Sequence, residues 1–315
     1  MLRTVGATVA RSALRLWGGD LADRFEVRRF AGPSAHVGAL DGVRVVHLTD
    51  LHIGTITPIE VHRTAVRIAN SLAPDLVAIT GDFVCHSQLH LLALEETVRA
   101  FNAPVVCVLG NHDHWAGASE VNRALERGGA AVLSNAHTTL TVRGQRLQIV
   151  GLDDGYTSQA DPARAVRGLR RGLPIIGLSH IAEEADALWS AGVPLVLSGH
   201  THAGQVTVAR LHELALGRLV GHRFVHGLYG SRAPGSAGAV YVGAGVGASV
   251  VPFRIGHRAR REVAVFELGS APGTVLEPHA EQSPFAGRPP SPRRCYQRAA
   301  VAVRREQRRL RAIRS

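Results

Sequence analysis

The sequence contains no lysine: all 36 of its basic residues are arginines. That absence reads as the codon bias of a GC-rich genome and narrows no function. Cysteine is scarce, and Cys85, Cys107 and Cys295 stand far apart, which excludes a disulfide framework or a zinc-ribbon spacing. Cys107, inside "VVCVL", reads as a small buried apolar residue, and such usage fits a reducing compartment. Aromatic residues are only 5% of the chain. No apolar run approaches the roughly 20 residues of a membrane span, and the start lacks the unbroken apolar centre of a secretory signal. No internal repeat is visible. The expected location is cytoplasmic, with peripheral placement on the inner face of the membrane as a variant.

What is present suffices for a large core. The 315 residues are 45% hydrophobic, with a formal net charge of +11. The charge is uneven: from Ala271 to Ser315 there are ten arginines and three glutamates, a net +7. Three regions are expected: 1–40 as an amphipathic helix and lead-in strand, 41–269 as the main folded domain, and 270–315 as a Pro/Arg-rich disordered tail. The opening stretch places Leu2, Val5, Val9, Ala13 and Leu16 on one helical stripe, away from Arg3, Arg11 and Arg15. Such a helix can lie on an anionic membrane surface or serve as an ordinary packing helix.

From residue 41 to about 205, apolar runs alternate with helical periodicity. "VRVVHLTD" (43–50), "DLVAITGD" (75–82) and "PVVCVLGNHD" (104–113) are separated by helical segments at 58–74 and 88–101, and a third follows at 118–129. "TTLTVRGQRLQIVGLDD" (138–154) reads as two strands about a turn at Arg143–Gly144–Gln145. "LPIIGLSH" (173–180), a helix at 182–192 and "VPLVLSGHTH" (193–202) follow. The pattern is α/β with a mixed sheet. Beyond 205 the runs at 240–256 and 261–268 are expected to build a second sheet packed on the first.

Five of the apolar runs end in a polar donor: Asp50, Asp82, Asn111, His180 and His200. In open α/β sheets, ligands sit beyond the carboxyl ends of strands, so residues distant in sequence meet in one cleft. Together with His52 and His202 these make seven oxygen or nitrogen donors without sulfur. Such a set suits manganese first, with iron, zinc, cobalt or nickel as alternatives. Seven donors are too many for one tetrahedral site and enough for two divalent ions sharing a carboxylate. Two ions about 3.5–4 Å apart can activate a hydroxide for in-line attack and hold the phosphoryl oxygens.

The order D-x-H, G-D, G-N-H-D, H, G-H-x-H, in "DLH" (50–52), "GD" (81–82), "GNHD" (110–113), "SH" (179–180) and "GHTH" (199–202), resembles the calcineurin-like metallophosphoesterase superfamily from residue 43 to about 256. The resemblance implies a four-layer α/β/β/α sandwich of two mixed sheets, with a dinuclear metal site at the strand ends. It implies Asp50, His52 and His202 on the first metal, Asp82 as the bridge, and Asn111, His180 and His200 on the second. His112 would bind the phosphate and protonate the leaving oxygen, with Asp113 orienting it; a histidine suits that transfer because its ordinary pKa lies near neutrality. "TDLHIG", "GNHDHWAG", "SGHTHAGQV", "HGLYG" and "GVGASVVPFRIG" look like a bacterial, membrane-associated branch. That branch includes phosphodiesterases and hydrolases of UDP-2,3-diacylglucosamine. Two departures lie on the substrate side: "SHIAEEAD" lacks the branch's proline and aspartate, and Ala203 replaces a glycine in G-H-T-H-G-G-Q.

Alternative readings stay open. Asp113 can be a local loop cap, and Asp153 and Asp154 in "GLDDG" fit a turn. His114, His226, His257 and Arg254 read as structural or solvated. The expected activity is hydrolysis of a phosphodiester or pyrophosphate bond, with a lipid or nucleotide-sugar as substrate. A nuclease whose tail tracks the nucleic-acid backbone and a metal-bound scaffold without turnover are the competing classes. The small charge outside the tail argues against nucleic acid.

Overall fold

A computed structural model describes residues 20–204, 221–248, 254, 259–278 and 280–286. The amphipathic stretch at 1–17, His257 and the arginine-rich end from 287 lie outside these residues. The first sheet contains β1 (Phe25–Ala31), β2 (Val43–Leu48), β3 (Leu76–Thr80), β4 (Val105–Val108), β5 (Ala130–Val132) and β12 (Arg261–Leu268), in the order β1-β12-β2-β3-β4-β5. The second contains β6 (Ala136–Val142), β7 (Gln145–Gly151), β8 (Ile175–Leu178), β9 (Leu195–Ser198), β10 (Gly227–Gly230) and β11 (Ala239–Val242), in the order β10-β11-β9-β8-β7-β6. Both are mixed: β2 to β5 run parallel, as do β7, β8, β9 and β11, while β12 is antiparallel to β2, β6 to β7 and β10 to β11.

The period of two along each strand sorts side chains between two cores. In β2, Val43 and Val45 face the other sheet while Val46 and Leu48 face helices; in β3, Leu76 and Ala78 face inward while Val77 and Ile79 face outward. Ile149, Leu178, Leu197 and Tyr241 of the second sheet complete the inner core. Three helices, α1 (Ile59–Ser71), α2 (Leu91–Arg99) and α3 (Asn111–Arg127), cover the first sheet. Two short ones, α4 (Pro162–Ala165) and α5 (Ala185–Ser190), cover the second. The result is the four-layer α/β/β/α sandwich. Each fully buried aliphatic or aromatic side chain contributes about 1.5–3 kcal/mol.

Three expectations change. The run at 261–268 does not join the second sheet; β12 lies between β1 and β2 of the first. Both its faces are covered, Val263 and Val265 by helices and Ala264, Phe266 and Leu268 by the other sheet, and buried Glu262 pairs with Arg28 of β1 at 2.8 Å. Helix α3 begins at Asn111 rather than 118; Gly117, at φ 121°, interrupts its helical geometry and hides the start from the periodicity. Chain expected to belong to the tail is packed: Glu277 and Glu281 hold buried Arg232 at 2.7 and 3.0 Å, and Gln282 bonds the backbone of Leu228 and Gly230. Buried charge and backbone pairing order that segment despite its prolines.

Candidate metal centre

The seven donors come from loops that follow β2, β3, β4, β8 and β9. Backbone pairing continues past the strand ends, with the Asp50, His52 and Ile53 amides donating to Gly81, Asp82 and Phe83 carbonyls at 3.0, 2.8 and 2.8 Å. Asp50 (φ 52°), His52 (φ 44°), Asp82 (φ 54°), His200 (φ 75°) and His202 (φ 53°) all have left-handed backbones, which cost a non-glycine residue roughly 1–2 kcal/mol. Strain of this kind, held by surrounding structure, gathers at functional sites. Glycine clears the neighbourhood: a Cβ on Gly81, itself at φ 81°, would stand 2.7 Å from the Gly110 amide nitrogen and 2.7 Å from His180 Nδ1.

The donors meet as two groups, Asp50–His52–His202 and Asp82–His180–His200, each with ligand atoms within 4.8 Å of one another. In the first, Asp50 Oδ1 lies 3.3 Å from His202 Nε2 and 3.8 Å from His52 Nε2. In the second, His180 Nε2 is 3.3 Å from His200 Nδ1 and 3.2 Å from Asn111 Oδ1. Asp82 Oδ2 stands between them, 3.5 Å from His52 Nε2 and 3.4 Å from His180 Nε2. The fit to cations rests on one atom: Asp50 Oδ1 is buried, accepts no hydrogen bond from the described residues, and faces two imidazole nitrogens. A buried carboxylate oxygen without a donor is costly unless a cation answers it.

Burial pushes His52, His200 and His202 well below the ordinary imidazole range, so each offers a lone pair at neutral pH. Burial also lifts Asp50 to about 6. It would lift Asp82 too, but His180, His112 and His52 outweigh it and hold that carboxyl well below the usual range. His180 is the converse: burial would depress it, yet Asp82, Asp50 and Asp154 raise it to about 10. Its Nδ1 donates to the Thr80 carbonyl at 2.8 Å, which turns Nε2 toward the centre.

His112 has its backbone amide on Asp82 Oδ1 at 2.8 Å and its Nδ1 on the Cys85 carbonyl at 2.5 Å, and its Nε2 lies 3.8 Å from Asp82 Oδ2. The orientation expected of Asp113 is therefore supplied by Cys85. Asp113 instead accepts backbone amides, from Phe83 and Val84 on Oδ1 at 2.9 and 3.2 Å and from Gly110 on Oδ2 at 2.9 Å. It is the loop cap, clamping the turns that carry Asp82 and His112; burial and Asp82 push its carboxyl up to about 7.

His114 pairs with Asp153 at 2.6 Å, Asp154 Oδ2 accepts from the Thr157 amide at 2.6 Å in a turn, and buried His226 pairs with Glu262 at 2.9 Å. Arg254 reaches 3.4 Å from His202 Nδ1 while holding the Ala244 carbonyl at 2.6 Å. Around the centre stand side chains absent from the sequence reading: Trp115 and His86 against His112, at centroid distances of 4.8 and 4.3 Å, and Tyr156 and His222 against His200 at 5.3 and 5.7 Å. Only the closeness of Cys85, His86 and Trp115 to two motif blocks could have signalled them. Ala203 is buried at φ 50°, a conformation that suits the glycine it replaces.

The relatives that resemble this chain include the following three. The uncharacterized metallophosphoesterase YkuE of Bacillus subtilis is 31% identical over 73% of this chain and 80% of its own. The phosphodiesterase YaeI of Escherichia coli is 28% identical over 71% and 82%. The UDP-2,3-diacylglucosamine pyrophosphatase LpxG of Chlamydia trachomatis is 28% identical over 54% and 66%. A family model described as calcineurin-like phosphoesterase matches residues 43–204. With that match spanning the loops that carry all seven donors, the chain belongs to the calcineurin-like phosphoesterase family, whose members are divalent-metal-dependent hydrolases of phosphoric esters.

Proposed function

We propose that this chain hydrolyses a phosphodiester or pyrophosphate bond, on a lipid or nucleotide-sugar substrate, at a centre of two divalent ions. The observation that carries the reading is the place of Asp82 Oδ2, within 3.5 Å of one histidine from each donor group. Asp50, His52 and His202 would hold the first ion and Asn111, His180 and His200 the second, with the Asp82 carboxylate offered to both donor groups. When bound, such ions polarise a phosphoryl oxygen and acidify water near neutral pH. Manganese suits the all-oxygen-and-nitrogen donor set.

His112 supplies the proton. With Nδ1 committed to the Cys85 carbonyl, Nε2 faces the centre and delivers its proton to the departing oxygen. Asp113 keeps the Gly110–His112 turn against the Asp82 loop through three amides. Trp115, Tyr156 and His222 form a rim that limits water and offers ring faces to a leaving group. The substrate class draws on the names of YaeI, a phosphodiesterase, and LpxG, a UDP-2,3-diacylglucosamine pyrophosphatase, and on this rim.

The test is hydrolysis of bis(p-nitrophenyl) phosphate by purified protein with Mn²⁺. Asp82→Ala should abolish turnover and lower metal content. His112→Ala should retain metal and lose about 10²-fold or more in kcat. Metal-loaded protein inert on a broad panel of phosphate esters would refute the reading.

A further inference from the structure

The Cys85 thiol and the His86 ring, beside the centre, take no part in the proposed reaction. The Cys85 thiol lies 3.3 Å from Nδ1 of His86, and Cys85, His52 and His112 offer ligand atoms within 4.8 Å of one another. The His112 ring stands edge-on to His86 at a centroid distance of 4.3 Å and to His52 at 4.7 Å. One thiol is thus surrounded by three imidazoles. Its position is set by backbone: the Cys85 amide donates to Ile53 and its carbonyl accepts from His112 Nδ1. His52 is buried, but Cys85 is only half-buried and His86 is exposed, so the thiol side of the set opens to solvent.

The donor chemistry differs from that of the centre below it. Oxygen and imidazole serve manganese-like ions, whereas a thiolate with imidazoles favours zinc, cadmium or another soft ion. His112 is the shared element. Its Nδ1 is committed to the Cys85 carbonyl, so Nε2 is left for either proton delivery or coordination.

We propose that Cys85, His86 and His112 form a third, inhibitory site for a thiophilic divalent ion, at the mouth of the metal centre. On binding, the thiol S–H bond breaks, the proton passes to solvent and a sulfur–metal bond forms, with no change of oxidation state. His112 Nε2 releases its proton to solvent and gives the freed lone pair to the ion, so the leaving oxygen loses its proton donor while His52 remains with the first ion. The inhibitory effect rests on the proposed role of His112; the binding does not.

The experiment titrates Cd²⁺ into Mn²⁺-loaded full-length protein, following near-ultraviolet absorption, released Mn²⁺ and hydrolysis together. Expected are a thiolate-to-metal charge-transfer band that saturates at a third equivalent, retained manganese, and loss of turnover in step with the band. Cys85→Ser keeps the backbone carbonyl that orients His112, and its Cd²⁺ response is read against that variant's own Mn²⁺-dependent rate. It should lose the band and need roughly tenfold more Cd²⁺ for the same inhibition, the scale on which a lost interaction at a metal lowers affinity. His86→Ala should weaken binding while keeping the band. A Cd²⁺ response unchanged by Cys85→Ser, with manganese released, would overturn the proposal, as would a saturated band with full activity. A preparation with no Mn²⁺-dependent hydrolysis would count against the function proposed above, while absorption and stoichiometry would still decide the site.

Discussion

Replacing Gly199 with alanine isolates how closely the two sheets press on the Asp50 group. Gly199 does not have a left-handed backbone, so the argument is one of space. A Cβ there would overlap Thr49 Oγ1 and stand 2.5 Å from Asp50 Oδ2 and 2.8 Å from Thr49 Cβ. The Thr49 hydroxyl lies 2.8 Å from Asp50 Oδ2 and 2.9 Å from the Thr80 carbonyl, and Asp50 Oδ2 also accepts the His200 amide at 3.1 Å. Forcing these groups apart costs about 1–3 kcal/mol for overpacking and about 1–3 kcal/mol for a buried hydrogen bond left unmade. A loss of about 2–6 kcal/mol should lower Tm by roughly 3–10 °C in a chain of this size. A displaced Asp50 should weaken Mn²⁺ affinity by about 10–100-fold. The readouts are thermal unfolding by circular dichroism, with and without metal, and a Mn²⁺ titration. Thr49→Ala removes the overlapped hydroxyl, so Gly199→Ala should cost at least about 1 kcal/mol less in that background. Additivity of the two substitutions, or a Gly199→Ala protein with normal stability and affinity, would refute the reasoning.

His36, His47 and His62 are each pushed by burial from 6.5 to about 4. Between those values the unfolded chain binds more protons, so the stability they provide is complete above about pH 6.5 and is lost as pH falls through 4. Each contributes about 3 kcal/mol; a urea midpoint of metal-free protein that stays level between pH 7 and 5 would contradict this. Arg28 and Glu262 form a buried pair at 2.8 Å, and His226 adds to it at 2.9 Å, so Glu262→Leu should cost about 3–5 kcal/mol, with part recovered by Arg28→Met in the same chain. Denaturant unfolding checks both variants. Ala203→Gly, which relieves a left-handed alanine at φ 50°, should leave stability unchanged or raise it by up to about 1 kcal/mol, as read by Tm.

Much of the site could be read from the sequence because its chemistry sits at the ends of apolar runs. Asp50, Asp82, His180 and His200 each follow a short strand whose period and burial are local properties, and the sheets bring those ends together. Asp113 shows the limit. Its neighbour His112 suggests a contact, yet the distribution of amides in the Gly110 and Phe83 turns draws its carboxylate to the backbone. Helix α3 shows a similar limit, since Gly117 breaks the periodicity that would place its start at Asn111.

The sequence alone determined the α/β alternation, the order of the seven candidate donors, and the family, because these depend on residue type and spacing within short windows. Tertiary structure alone decided that β12 enters the first sheet, that Glu277 and Glu281 reach back to Arg232, and that Asp82 stands between two donor groups. Only it surrounds the Cys85 thiol with three imidazoles. Those are contacts across separate parts of the chain, set by which buried charges and strand edges find partners, and no local pattern of residues encodes them.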